Sequence, residues 1–550
     1  MRPDGKPEGL RQSMSWLHTW SGLLLGWLLY AVFFTGTLSY FVDEVDEWMR
    51  PELHRSVPGP AVATAERALD AMQQLAPGAA SWTLNLPGPR QTAVQASWRM
   101  PGAAAGRGGT QRAQLDAATG EKIEVRETRG GNFLYRFHFE LYAMPRVWGR
   151  WIVGTATMFM FVAILSGVVT HKKIFSEFFT FRPKKGQRSW LDAHNATAVL
   201  ALPFHVMITF SGLLLLMFML MPWGIDAVYQ GDTRTFFAER RGGAMGPGEG
   251  GGRRAEAPPG AAPLAPIAPM LQLAQARWPE HGVGSITVQN PGTTRATVEL
   301  RQGGSDSLSG RGGSERLLFD GATGEARSLP PPRPPSAAGT LYDWFTGPHL
   351  AHFAGPATRW LLFLSGVLGT VMAGSGMVLW VVKRLPERRK LGRTPRGHRL
   401  VEILNVAALA GLSVAVAAYF WANRLLPAGL QGRADTEIQV FFAAWGLCLL
   451  HALLRPHRRA WAELMGLAAL AFAALPLLNA ATGGAPLPVA IARGQWSIAG
   501  FDLVVLFLAA VHGFIAWKLR GTAPVAAPAR RPAGGGRPAQ PVPQAQEQSP

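Results

Sequence analysis

Apolar residues in this chain are gathered into eight long runs instead of being dispersed along its length. A helix needs about 20 mostly apolar residues to cross the hydrocarbon core of a bilayer. The runs therefore predict eight membrane spans, of which the sixth and seventh are short. The predicted spans are residues 16–41, 151–170, 196–221, 360–382, 400–421, 440–453, 461–478 and 498–517.

Two polar segments, one after the first span and one after the third, carry a different pattern. Each begins with a stretch of helical period and continues with short runs in which apolar and polar residues alternate, which is typical of strands. Helices are predicted at residues 64–75 and 266–277. Strands are predicted at residues 81–86, 91–98, 285–289, 294–300 and 316–319. Each segment thus predicts a small α+β domain outside the membrane.

These elements predict a mainly α, polytopic membrane protein with a four-helix core, two small α+β domains and four additional C-terminal transmembrane helices. The layout is residues 1–41 (N-terminus and first span), 42–147 (first α+β domain), 148–222 (second span, basic loop and third span), 223–355 (second α+β domain), 356–399 (fourth span and basic loop), 400–520 (four C-terminal spans) and 521–550 (tail). The tail is rich in proline, alanine and glycine, a composition typical of disorder.

The first 383 residues have the pattern of an internal duplication, because the same residue pairs recur at the same spacing. His18 precedes Gly36 by 18 residues, and His194 precedes Gly212 by 18 residues. A tryptophan and a glycine 16 residues apart likewise recur in the second and fourth spans. Both repeats begin on the same side of the membrane, so we expect parallel repeats about an axis along the membrane normal.

The positive charges that give the net charge of +19 are distributed as the predicted membrane topology requires. Basic clusters come after the second, fourth and sixth spans, so every second connection is basic, as the positive-inside rule predicts. Both termini are therefore expected in the cytoplasm, and the positive charge does not indicate nucleic-acid binding. We expect the first span to be a retained anchor, because its apolar run is too long for a signal peptide and no small-residue cleavage site is evident.

Histidine is the residue type that points to chemistry. An imidazole in a bilayer is costly and needs a partner, so clustered histidines indicate a ligand site, a proton path or an electron path. The only cysteine is Cys448 and no Cys-x-x-Cys-His occurs, which excludes covalent c-type haem. Two histidines holding one haem iron remain open. Six of the thirteen histidines lie in or beside the first four spans: His18, His138, His171, His194, His205 and His352.

Three of these histidines predict an inner site near the cytoplasmic face. His18 and His194 occupy equivalent positions in the duplication, and His171 lies at nearly the same depth at the end of the second span. Two of the three would be the axial ligands of an iron. His171 adjoins two lysines, so an ordinary interfacial basic residue is the alternative interpretation of its position.

An outer site is predicted from the remaining histidines. His205 lies 11 residues beyond His194, which is about 16 Å further along a helix at 1.5 Å per residue. We expect it to pair with His138 or His352, and His349 is a further candidate at this face. His138 and His349 have a simpler alternative as plain surface residues.

Several motifs resemble the PepSY-associated transmembrane family, over about residues 10–385. The four C-terminal spans lie outside this resemblance. The residues that carry it are 16–22 (Trp-Leu-His-Thr-Trp-Ser-Gly), 133–138 (Phe-Leu-Tyr-Arg-Phe-His), 170–175 (Thr-His-Lys-Lys-Ile-Phe), 181–186 (Phe-Arg-Pro-Lys-Lys-Gly), 191–195 (Leu-Asp-Ala-His-Asn) and 202–205 (Leu-Pro-Phe-His).

Better understood members of that family resemble haem-containing ferric-siderophore reductases of the bacterial inner membrane. The resemblance implies an oxidoreductase with two haems b held by the candidate histidines, embedded in membrane lipid. Its implied substrate is a periplasmic ferric siderophore or another Fe(III) chelate. No Gly-x-Gly-x-x-Gly motif opens a βαβ unit, so we expect electrons from a quinol or a cytoplasmic flavoprotein reductase.

Two other functions stay open at the level of sequence. PepSY domains are also thought to bind or inhibit peptidases, so one alternative is a membrane-anchored regulator whose histidines only pack. The other alternative is a transporter that uses the histidines as a proton relay. Haem content separates these alternatives from the reductase.

Overall fold

The computed structural model describes residues 9–104, 107–171, 174–177, 179–240, 260–304, 315–328 and 336–521. The chain is mainly helical over these residues and contains one β-sheet. Lys172 and Lys173 of the predicted basic loop lie outside the described residues, and so does the predicted disordered tail from residue 522 onward.

Seven helices in the described part of the chain are long and apolar enough to cross a membrane. A bent pair brings the number to eight when its two helices count as one span. The chain is thus a multi-pass membrane protein, and each predicted apolar run corresponds to a helix. We number the spans one to eight: Leu10–Leu38, Arg146–Thr170, Gln187–Leu200 with Leu202–Leu215, Pro356–Lys383, Arg396–Leu425, Arg433–Leu454, His457–Ala481 and Trp496–Gly521.

Span three is bent by 68° between its two helices. Pro203 lies in the first turn of the second helix. Proline has no backbone N–H and its ring clashes with the carbonyl four residues earlier, so it tends to kink or break a helix. The break falls at Ala201, whose carbonyl accepts a hydrogen bond from the backbone N–H of His205 at 2.8 Å. His205 therefore lies about one turn after the bend, near the start of the second helix.

The sheet lies beyond the ends of spans one to four, at what we call the sheet end. It has eight antiparallel strands in the order β4-β3-β2-β1-β5-β6-β7-β8. β1 to β4 come from the segment after span one, and β5 to β8 from the segment after span three. The strands are β1 Ser81–Asn85, β2 Val94–Arg99, β3 Thr110–Leu115, β4 Lys122–Ile123, β5 Val283–Gln289, β6 Thr297–Gln302, β7 Arg316–Asp320 and β8 Ala326–Arg327.

The two polar segments share this sheet and one hydrophobic core. β1 pairs with β5, so that Leu84 lies opposite Ile286, and both side chains are fully buried. The helices Ala61–Leu75 and Ile267–Arg277 contribute to the same core of packed apolar residues. The sequence predicted the strands and helices of two small domains, and the structure joins them at the β1–β5 edge because each segment leaves its first strand available for pairing.

Two further helices at the sheet end each precede a span. Gly130–Glu140 packs against span one, and Ala337–Leu350 packs against the second half of span three. The remaining α-helices are shorter connections. They are Val42–Trp48, Ile174–Glu177, Met217–Leu220, Trp223–Tyr229, Thr233–Arg240, Leu385–Leu391 and Leu487–Ala492.

Spans five to eight pack beside span one and the helix Val42–Trp48. Span five contains a π-helical turn, Val406–Ala410, directly after the buried Asn405. The Asn405 side chain accepts a hydrogen bond from Trp27 Nε1 at 2.8 Å and donates one to the carbonyl of Met377 at 3.1 Å. One amide thus ties the C-terminal spans to both span one and span four.

Candidate functional site

A first pair of histidines meets between spans one and three, away from the sheet. The ring centroids of His18 and His194 are 6.1 Å apart. His18 Nδ1 hydrogen-bonds the carbonyl of Ala163 in span two at 2.9 Å, and His194 Nδ1 hydrogen-bonds that of Met372 in span four at 2.9 Å. Because a carbonyl only accepts, both Nδ1 atoms carry the hydrogen, which leaves each Nε2 with a free lone pair.

A second pair lies nearer the sheet. His138 on the helix Gly130–Glu140 faces His349 on the helix Ala337–Leu350, with ring centroids 6.2 Å apart. His138 Nδ1 hydrogen-bonds the carbonyl of Val32 at 2.7 Å, and His349 Nδ1 lies 2.9 Å from Ser211 Oγ. The Ser211 hydroxyl donates to the carbonyl of Met207 at 2.6 Å, so Ser211 Oγ accepts from His349 Nδ1. The second pair therefore presents the same tautomer as the first.

The separation of the rings fits a metal between them. Metal bonds of about 2.0–2.1 Å to two imidazole nitrogens, with about 1.1 Å from each nitrogen to its ring centre, place the centroids about 6.3 Å apart. The observed centroid separations of 6.1 and 6.2 Å are close to this value, with ring planes inclined to each other by 66° and 46°. Among the described residues, no three His, Cys, Asp or Glu side chains form a group that could hold a metal ion. Two imidazoles complete the coordination of iron only when another group, such as a porphyrin, supplies the remaining nitrogens.

Four glycines provide the space for these four rings. Each faces one histidine, and a Cβ added to the glycine would lie 2.5 to 3.4 Å from the nearest ring atom. Each glycine follows a serine or threonine in the sequence, at the spacing that indicated the duplication. The facing pairs are Gly36 with His138, Gly167 with His18, Gly212 with His349 and Gly376 with His194.

Two adjacent cavities contain the pairs. The inner cavity, of about 320 Å³, is lined by His18 and His194, and the outer cavity, of about 750 Å³, by His138 and His349. Both volumes fall in the range of about 300–1,000 Å³ that is usual for cofactor sites. Leu29 and Met160 line both cavities, so only a thin apolar partition separates them.

Cationic side chains lie at the far end of each cavity. Lys383 and Arg384 line the inner cavity, where the Arg384 guanidinium stacks 3.8 Å from the ring centroid of Trp380. Arg90 and Arg359 line the outer cavity beside the sheet. Arg90 and Arg359 pair with Glu44, and Arg90 also pairs with Asp43, so these two guanidinium groups already have carboxylate partners within the chain. The cations of the inner cavity suit the carboxylates of a bound ligand.

The other predicted histidines occupy different places. His205 lies on the wall of the inner cavity, fully buried, whereas His138 and His352 line the outer cavity. His171 directly follows the last residue of span two and lines the inner cavity with His18 and His194. His352 lines the outer cavity, but the ring opposite His138 belongs to His349.

The helix end explains why His349 faces His138 while His352 does not. The helix stops at Leu350, and Ala351 adopts the left-handed conformation with φ of 55°. His352 therefore leaves the helical face that carries His349. Sequence spacing alone did not select His349, because His138 precedes Trp151 by 13 residues whereas His349 precedes the equivalent Trp360 by 11.

Comparison with protein-family models identifies the family of the chain. The model of the PepSY-associated TM region family matches residues 15–383, which include both histidine pairs and the sheet. No curated protein matches the chain. Since the match extends over more than half of the 550 residues, the chain belongs to the PepSY-associated TM region family.

Proposed function

We propose that this protein is a membrane oxidoreductase that binds two haems b and reduces an Fe(III) chelate at its sheet end. The observation that carries the proposal is the presence of two opposed histidine pairs, His18 with His194 and His138 with His349, in adjacent cavities. In all four rings Nδ1 is anchored by an acceptor, so Nε2 is the atom that faces a ligand.

Haem b held by two histidines supplies one-electron chemistry through Fe(III) and Fe(II), and two haems in adjacent cavities supply a path for electrons across the span. The chain's own residues would bind the haems and orient the histidine rings. The carbonyls of Ala163, Met372 and Val32 fix the ring tautomers, as outer partners of metal-bound histidines commonly do. The four glycines leave room for the rings, and the apolar partition excludes water from the membrane interior.

The topology that we propose places the sheet in the periplasm and both termini in the cytoplasm of a bacterial inner membrane. It is supported by the basic residues of the loops at the end opposite the sheet, such as Arg388, Arg389, Lys390 and Arg393. We also propose that spans one to four arose by duplication. Two observations support this origin. The strand order is symmetric about the β1–β5 pairing, and a glycine faces each of the four histidine rings.

The proposed substrate is a ferric siderophore or another Fe(III) chelate, as the family resemblance implies. Reduction adds one electron per iron, and the divalent ion binds hard oxygen ligands more weakly, so the chelate releases it. A quinol or a cytoplasmic flavoprotein is the proposed electron source. One quinol releases two electrons and two protons and so reduces two chelates.

Haem content tests the proposal directly. Purified protein is expected to contain two haems per chain by pyridine haemochrome assay and to develop a reduced haem b spectrum with dithionite. His349→Ala is expected to lose one haem, because it removes one ring of the outer pair. His352→Ala is the matched control, since it lies in the same cavity but not in the pair, and should keep two. A colourless wild-type preparation would contradict the proposal and favour the regulator or the proton-relay transporter.

A further inference from the structure

His205 is a buried histidine that the two pairs leave unused. Its side chain is 0% exposed, and neither ring nitrogen makes a hydrogen bond of normal geometry to any described residue, although the backbone carbonyl of Ala198 lies close enough to interact with the ring. Both nitrogens of an imidazole are polar, and burying them without a partner is unfavourable. The position is therefore expected to have a function that compensates for this cost.

The surroundings of His205 place it where the two cavities meet. Ala198 and Leu202, before it in span three, line the inner cavity together with His205 itself. Phe204 and Ile208 line the outer cavity. His205 is thus a polar side chain at the otherwise apolar partition between the two histidine pairs.

The ring of His205 is fixed in this position by packing. Its centroid lies 6.0 Å from that of Phe33, and the two rings meet edge to face at 81°. On span four, a Cβ added to Gly369 would lie 3.2 Å from His205 Nε2, so the backbone of that span closes in on the ring. Spans one and four therefore restrict the ring to the wall of the inner cavity.

We propose that His205 is a positioning residue whose N–H faces the inner haem and stabilises its reduced form. This inference rests on the proposed function, because the occupant of the inner cavity is the partner that the imidazole lacks. His205 does not act as an axial ligand, since His18 and His194 already oppose each other at the separation that a metal requires.

The direction of the effect follows from charge. Reduction adds one negative charge to the haem in a region of low dielectric, where a nearby N–H dipole acts more strongly than in water. Groups around a haem that donate hydrogen bonds or change local polarity set its reduction potential. Loss of the His205 N–H is therefore expected to lower the potential of the inner haem and to leave that of the outer haem unchanged.

The test compares His205→Leu with His205→Gln in protein that retains both haems. The two replacements have similar size, but only glutamine keeps an N–H donor at the end of the side chain. Midpoint potentials are measured by spectroelectrochemical titration. The same substitutions in a His349→Ala background leave only the inner haem and assign the change to it. His205→Phe, which keeps a ring, is the second variant if His205→Leu does not accumulate in the membrane.

The expected result is two haems in His205→Leu, a lower potential for one of them, and a potential nearer that of the wild type in His205→Gln. Two results would overturn the proposal. One is the loss of a haem equivalent in both variants, which would make His205 an axial ligand. The other is a midpoint potential of the inner haem that is the same in both variants as in the wild type. A wild-type protein without haem would instead refute the proposed function itself, so the two failures are distinguishable.

Discussion

Gly36 is the position at which a single methyl group tests the outer site most sharply. In Gly36→Ala the new Cβ would lie 2.5 Å from both Nδ1 and Cε1 of His138. Ordinary contact needs about 3.4 Å or more, so the ring would have to move by roughly 1 Å. It cannot retreat freely, because its Nδ1 is held by the carbonyl of Val32 at 2.7 Å.

The size of the effect follows from the cost of overpacking a well-filled site, which is typically about 1–3 kcal/mol. If that cost falls on the ligand-bound geometry, the outer haem binds roughly 5- to 150-fold more weakly, since about 1.4 kcal/mol corresponds to a factor of ten. Gly212→Ala is the matched control. Its Cβ would lie 3.4 Å from His349 Cε1, which is ordinary contact and requires no movement.

The assay is haem content per chain after purification, followed by loss of haem during washing with a haem-binding competitor. We expect Gly36→Ala to lose the outer haem faster than the wild type and Gly212→Ala to behave like the wild type. The reasoning would be refuted if Gly36→Ala kept both haems with wild-type retention, or if the two alanine variants lost haem equally.

Two further predictions concern the C-terminal spans. His54 lies in the short helix Pro51–Arg55 and accepts a hydrogen bond from the backbone N–H of Ala485, between spans seven and eight. Burial and the charge of Arg424 lower the pKa of His54 to about 3, so the unfolded state binds more protons below the ordinary pKa of 6.5. The free energy of unfolding should therefore fall by about 1.4 kcal/mol per pH unit as pH drops from 6.5 towards 3. The melting temperature, measured over this pH range, should depend less on pH in His54→Gln than in the wild type, and an equal dependence would contradict this. Asn405→Leu leaves Trp27 Nε1 and the carbonyl of Met377 without their buried partner, so we expect a loss of about 2 kcal/mol or more, and an unchanged melting temperature would refute it.

The location of elements was largely predictable from the sequence. The strands at residues 81–86 and 285–289 and the helices at 64–75 and 266–277 were confirmed to within a few residues, because their alternating or helical periods are local. The register between β1 and β5 was not predictable. The register depends on contact between two segments that are far apart in the sequence, and the local pattern of apolar and polar residues does not specify such a contact.

The candidate site was predictable only in part. The sequence brought His18 and His194 together by their equivalent spacing, and the structure places their ring centroids 6.1 Å apart. It assigned His205 to the outer site from the rise of a straight helix, whereas the bend at Ala201 and Pro203 places His205 on the wall of the inner cavity. Whether any of these histidines binds haem stays a prediction.

The sequence by itself determined the apolar spans, the basic composition of every second connection and the equal spacing of 18 residues from His18 to Gly36 and from His194 to Gly212. These properties follow from hydrophobicity, charge and helical period, which act over a few turns of chain. Tertiary structure decided which rings face each other, because His138 and His349 meet only after separate helices dock on spans one and three. Where the helix Ala337–Leu350 ends then selects His349 over its neighbour His352.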